Sequence, residues 1–175
     1  MKASVLVLLS VFGCTIASGC GETPTSPDLA LTQVSIDGSK YLLAEEPEDA
    51  VGVIEARESA TDGEPIVIVG RIGGAANPWI EGRAAFTMID ASKLVVADGE
   101  DNDEGELCMD DCCAEERAGC TTLVKILGAD GKLVAADARK LLGVTDSDMV
   151  VVRGKVSKDE SGNFVVLSDG VHVRR

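Results

Sequence analysis

Aromatic residues are scarce in this chain of 175 residues: one tryptophan, one tyrosine and three phenylalanines, 3% of the total. Surfaces that hold bases or sugars by stacking need such rings, so the scarcity weighs against both. Histidine occurs once, as His172. With a single imidazole, and no Ser/His/Asp set or partnered cysteine nucleophile, most hydrolase mechanisms are removed. Positive charge is thin as well, with 16 Lys and Arg against 30 Asp and Glu and a formal net charge of −14. A chain this acidic repels phosphate backbones and is a poor partner for nucleic acid. The pair Gly73–Gly74 is no phosphate loop, because neither Lys-Ser/Thr nor a helix start follows it. Long apolar runs are missing too: residues 5–12 (VLVLLSVF) are too short to span a bilayer.

What the N-terminus does contain is an export pattern. Met1 and Lys2 form a short positive region, residues 5–12 an apolar one, and small residues at 17–19 lead into Cys20. This stretch, IASGC, resembles the lipobox of bacterial lipoproteins, with Ala17 standing where leucine is commonest. The resemblance implies a signal peptide over residues 1–19 and a lipid on Cys20. It also implies a place in the cell envelope, anchored to a membrane that faces the periplasm or the exterior. Two acyl chains suffice for stable anchoring. Cys14 is the weaker candidate because bulky Phe12 precedes it, and the alternative is a plain signal peptide cut near residues 17–19. Either route puts the chain in an oxidising compartment. Residues 20–46 read as a flexible tether, rich in Gly, Thr, Ser and Pro up to Asp37, with residues 41–44 (YLLA) as a short strand or arm.

From residue 47 the pattern is that of a small β domain. Residues 47–60 (PEDAVGVIEARESA) read as a helix, with Pro47 in the first turn, acidic residues at its positive end, and Val51, Ile54 and the stem of Glu58 on one face. Residues 65–74 (PIVIVGRIGG) form the strand around which the rest is arranged. Gly70 within it marks a bulge or bend, as a strand shared by both halves of a small barrel requires. Residues 83–90 (RAAFTMID) alternate, with Ala85 or Ala84, Phe86 and Met88 on one face and Thr87 and Ile89 on the other, and residues 94–96 extend that strand. A third strand covers 121–127, a short helix 137–142 closed by Gly143, a fourth strand 149–156, a hairpin turn 157–163 and a fifth strand 164–173. The order β-β-β-helix-β-β is that of an OB-fold, a five-stranded Greek-key barrel, mostly β, with a helix between strands three and four and here an N-terminal helix as well.

Over residues 50–175 the chain resembles secreted bacterial OB-fold proteins. The likeness rests on IVIVGRI, on AFTMID, and on residues 152–159 (VRGKVSKD). It is also loosely similar to uncharacterised planctomycete lipoproteins that place paired cysteines at the same point. The resemblance implies a small, non-enzymatic binding module. Its motifs are mainly structural glycines and valines, so they specify fold better than function.

The departure from that pattern is the insertion at residues 97–120. It opens on a carboxylate run, residues 97–105 (ADGEDNDEG), and continues with Cys108, Cys112, Cys113 and Cys120. A disulfide knot is one reading. A bridge between the adjacent Cys112 and Cys113 is strained, which leaves 108–112 with 113–120, or 108–113 with 112–120. A thiolate site for zinc or copper(I) is another, although no C-x2-C pair is present. Reactive thiols are disfavoured, because the carboxylates from Asp98 to Glu116 raise thiol pKa values. The acidic run does not carry EF-hand spacing, so a solvated loop is expected there rather than a calcium site.

Trp79 and the neighbouring Arg83 fall in the first barrel loop, where OB-folds hold ligands; Trp79 could equally plug the barrel's open end. His172, between Val171 and Val173, faces outward or caps an edge. The chain is therefore expected to be a membrane-anchored, non-enzymatic binding or structural module of the cell envelope with a disulfide- or metal-stabilised cysteine loop. The alternative is an OB-fold binder of oligosaccharide or nucleic acid.

Overall fold

Strand pairing makes Pro65–Ile72 the seam of the fold. Residues 65–71 run antiparallel to Met149–Lys158, and residues 70–72 run antiparallel to Ala85–Asp90. The structure, a computed structural model, describes residues 36–96, 106–108 and 113–175, with backbone alone at 94–96 and 106–108. Its elements are, in chain order, β1 (Val51–Gly52), α1 (Val53–Ser59), β2 (Pro65–Ile72), β3 (Ala85–Asp90), β4 (Leu94–Val96), β5 (Glu106–Cys108), α2 (Ala114–Cys120), β6 (Thr121–Ile126), α3 (Ala138–Leu142), β7 (Met149–Lys158) and β8 (Phe164–Arg174).

The hydrogen-bonded order β2-β3-β6-β8-β7 closes through β7 onto β2, giving a five-stranded mixed barrel. Every neighbouring pair is antiparallel except β6 beside β8. With α3 between the third and fourth barrel strands, this is the OB-fold-like arrangement expected from the order of elements. The alternation of apolar residues decides what lies inside: Ile68, Ile72, Phe86, Met88, Val124, Ile126, Val150, Val152 and Val166 are all buried in one core.

Gly70 and Gly154 serve this closure differently. At Gly154 the β7–β8 register shifts, and a Cβ there would lie 2.3 Å from the Leu167 carbonyl oxygen. That is the bulge that lets β7 turn. Gly70 keeps register with both neighbours, so it forms no bulge. Its lack of a side chain matters because a Cβ would stand 2.4 Å from the carbonyl oxygen of Ile89.

The N-terminal helix is shorter than its sequence suggests. Residues 47–50 stay outside it, Asp49 adopts φ 59°, and β1 pairs in parallel with Ile68 and Val69 before α1 begins. The sheet thus claims backbone groups that a longer helix would have used. The buried face is Val53 and Ala56, with Ala60 just beyond, rather than Val51, Ile54 and Glu58. Contacts with Asp90, Thr121, Lys158 and Phe164 set α1 over the barrel end where β3 and β7 finish and β6 and β8 start. At the other end α3 is capped as expected, by the Asp137 side chain at its start and by Gly143, φ 66°, at its finish.

The domain also begins before Pro47. Tyr41 is buried after a 3-10 turn, Ser39–Tyr41, Leu42 bridges to Val171, and the Leu43 N–H donates to the Val171 carbonyl at 2.9 Å. Residues 36–46 therefore dock on β8 rather than continuing the tether. Residues 94–96 do not extend β3 either: after a turn at 91–93 they form β4, paired in parallel with β5. The signal region, Cys14, Cys20, the first part of the tether and the acidic run 97–105 lie outside the described residues.

Candidate functional site

Loop 73–84, between β2 and β3, folds back onto β3. Gly73 N–H donates to Thr87 O at 3.0 Å, Thr87 N–H to Pro78 O at 2.7 Å, and Ile80 N–H to Ala85 O at 3.2 Å. This return carries Trp79 into the core, where it is 7% exposed. Its ring centroid is 6.1 Å from that of Phe86, its Nε1–H donates to the Asp146 carboxylate, and the Arg139 guanidinium sits 5.5 Å above it. Trp79 thus helps α3 to close one barrel end. Arg83, farther along the loop, is exposed and makes no side-chain bond among the described residues. The two residues picked out for a ligand face do not converge.

A cleft does open beside the first part of that loop, with a volume of about 330 Å³. Arg71, Gly73, Gly74, Ile89, Lys93 and Asp146 are among its walls. Its charged groups differ in how they are satisfied. Lys93 holds Glu116 at 3.2 Å, and Asp146 takes the indole N–H. Arg71 has no carboxylate partner among the described residues: Nη1 reaches the Ser147 carbonyl at 3.4 Å, and the buried Nε has no partner at all. Ser147 itself adopts φ 69°, a conformation that side-chain-bearing residues rarely take. Sequence reasoning did not single out Arg71. The available signal was a lone charge inside an otherwise apolar strand.

In the cysteine insertion, α2 places Cys120 against Ile89 and Ile54. Both pairings left open by the sequence end on Cys120, and here its Sγ–H donates to the Arg117 carbonyl at 3.4 Å. Burial pushes this thiol above its usual pKa, and the carboxylates of Glu116 and Asp90 push the same way against Lys93. Cys113 is half-buried at the start of α2; Cys112 and the Cys108 side chain lie outside the described residues. Among the described residues no three His, Cys, Asp or Glu side chains gather as a metal site.

His172 acts at an edge. Its Nδ1 lies 3.0 Å from the Leu43 carbonyl, which fixes the Nδ1–H tautomer, and beside it Arg174 binds Glu46 through both Nε and Nη2. These contacts fasten the N-terminal arm. Among the described residues no helix is long and apolar enough to cross a membrane. The sequence matches no family model and no curated protein.

Proposed function

We propose that this chain is an exported, lipid-anchored, non-enzymatic binding module of the cell envelope whose ligand sits in the cleft beside Arg71. The observation that carries the reading is an arginine in the wall of an open cleft whose buried Nε has no partner among the described residues. Groups of that kind are costly to leave unmet and rare in folded proteins, so each calls for a partner. The oligosaccharide or nucleic-acid alternative draws no support from the described residues. Tyr41, Trp79, Phe86 and Phe164 are all buried, so no aromatic ring there is offered for stacking.

The lobe bearing Cys108, Cys112, Cys113 and Cys120 belongs to this proposal as a stabilising element, closed by disulfides or by zinc or copper(I). Closure through Cys120 requires its sulfur to turn away from Arg117. Lipidation at Cys20 supplies the anchor, with the domain start near residue 36 setting the length of the tether.

The single tryptophan makes the cleft reading testable, because its indole bonds to a cleft-lining carboxylate. A screen of small metabolites against mature protein, read by Trp79 emission, is expected to give saturable shifts. Saturation by single-stranded oligonucleotide or oligosaccharide, with none by small molecules, overturns it. On the same sample, thiol titration and metal analysis decide the lobe: blocked thiols without metal mean disulfides, and stoichiometric zinc or copper means a metal site. Mass spectrometry of the mature N-terminus checks acylation of Cys20.

A further inference from the structure

We propose that the cleft takes the carboxylate of a small organic monocarboxylic acid, with the Arg71 guanidinium as its counter-ion. This rests on the reading of the cleft as the ligand seat and adds the chemical class.

The argument starts from the state of the chain's arginines. In a protein of net charge −14, carboxylates are plentiful, and Arg139, Arg153 and Arg174 each hold one, Asp137, Asp169 and Glu46 respectively. Arg71 holds none. Its one bond is long, at 3.4 Å, and its Nε–H is buried without an acceptor. A guanidinium is a planar fork matched to two oxygens of one carboxylate; with Nε buried, the Nη groups are the prongs that a carboxylate in the cleft would meet.

The rest of the cleft narrows the class. The N–H groups of Gly74, Ala75 and Ala76, also in its wall, make no hydrogen bond within the described fold. Gly74, at φ +83°, lies so close to β6 that a Cβ would stand 2.5 Å from Thr121 Cγ2. A larger residue would push this backbone out of place. Ile72, Pro78 and Ile89 give the site apolar walls suited to a short hydrocarbon body. Lys93 is neutralised by Glu116, and the Asp146 carboxylate opposes a second negative charge. With these charges in balance, Arg71 is the lining cation that holds no carboxylate directly among the described residues, which suits a monoanion rather than phosphate.

The test uses mature protein at constant ionic strength, with propionate, its neutral isostere propionamide, and inorganic phosphate as probes. Trp79 emission and the NMR signal of the Arg71 Nε–H are read together. Propionate is expected to shift both saturably, with a dissociation constant on the order of 1–10 mM. Propionamide and phosphate should bind at least about tenfold more weakly. Arg71→Met, which keeps most of the stem, should abolish the propionate response; Arg71→Lys, the milder variant should Met disturb folding, should weaken it roughly tenfold. Equal binding of propionate and propionamide, tighter binding of phosphate, or an unchanged response in Arg71→Lys overturns the carboxylate assignment while leaving the cleft as a ligand seat. If none of the probes moves either signal, the assignment falls; if the metabolite screen also fails, the cleft reading falls with it.

Discussion

The carboxylate of Asp90, the last residue of β3, accepts the backbone N–H of Ile54 at 3.0 Å across 36 residues of sequence. Helix α1 has no capping side chain of its own at Gly52. Asp90 takes that role from another strand, and it also accepts the N–H and hydroxyl of Ser92. Gly52 is required for the approach, since a Cβ there would lie 2.7 Å from the Asp90 carboxylate.

Replacing this carboxylate should therefore make stability lose part of its acid sensitivity. Burial works to raise the Asp90 pKa, but hydrogen bonds from Ser92, Ile54 and Val53 outweigh it and hold the group below the usual carboxylate range. A depressed folded value stabilises the fold fully above the unfolded value of about 3.9 and loses that contribution as pH falls through the folded one. Asp90→Asn is expected to cost about 2 kcal/mol at pH 7 and progressively less as the pH falls from about 3.9 through the lowered folded value. The comparison is therefore between pH 7 and the lowest pH at which the fold survives. Urea midpoints at the two pH values measure the difference; an equal deficit at both contradicts it.

Gly70→Ala should be among the most damaging single-methyl changes in the chain. The added Cβ meets the Ile89 carbonyl oxygen at 2.4 Å, a backbone atom that cannot rotate away. A loss of roughly 3 kcal/mol is expected. Gly119→Ala is the control: it meets nothing within 4 Å and sits in α2, so it should be neutral or stabilising by about 0.5 kcal/mol. Thermal melts of both variants check the contrast.

Lys158 closes the other end of α1, its Nζ donating to the carbonyls of Arg57 at 3.0 Å and Ala60 at 3.4 Å. A cation at a helix C-terminus also complements the dipole. Lys158→Met keeps the stem and should cost about 1–2 kcal/mol. Amide exchange should quicken in α1 while β8 stays protected; uniform loss of protection across the barrel speaks against so local a role.

Cys120 should resist thiol reagents. It is 2% exposed, and burial raises its pKa, so little thiolate forms at pH 8. In protein purified under reducing conditions, peptide mapping should find Cys120 labelled only after denaturation. Labelling of the native protein at the denatured rate would show the sulfur to be accessible.

Much of the architecture can be read from periodicity. The alternation of Phe86 and Met88, the valines of β7, the Asp137 cap with Gly143, and the glycines at 70 and 154 each carry a local signal, because side-chain spacing and backbone freedom are properties of neighbouring residues. The start of α1 was not readable that way. Residues 47–52 have good local helix signals, yet β1 pairs with β2 and Asp90 caps the helix later, and both partners are distant in sequence.

The candidate site divides along the same line. By itself the sequence determined the export pattern, the order of strands that closes a barrel, and the acidity that disfavours polyanions. Only the tertiary structure decided that Trp79 turns inward onto Phe86 and Asp146, and that Arg71 lies in the wall of a cleft with no carboxylate bonded to it among the described residues. The reason is physical: a charge's partners come from whatever strands and loops the closed barrel brings beside it, and closure here joins residues 71, 89, 93 and 146, which no local pattern connects.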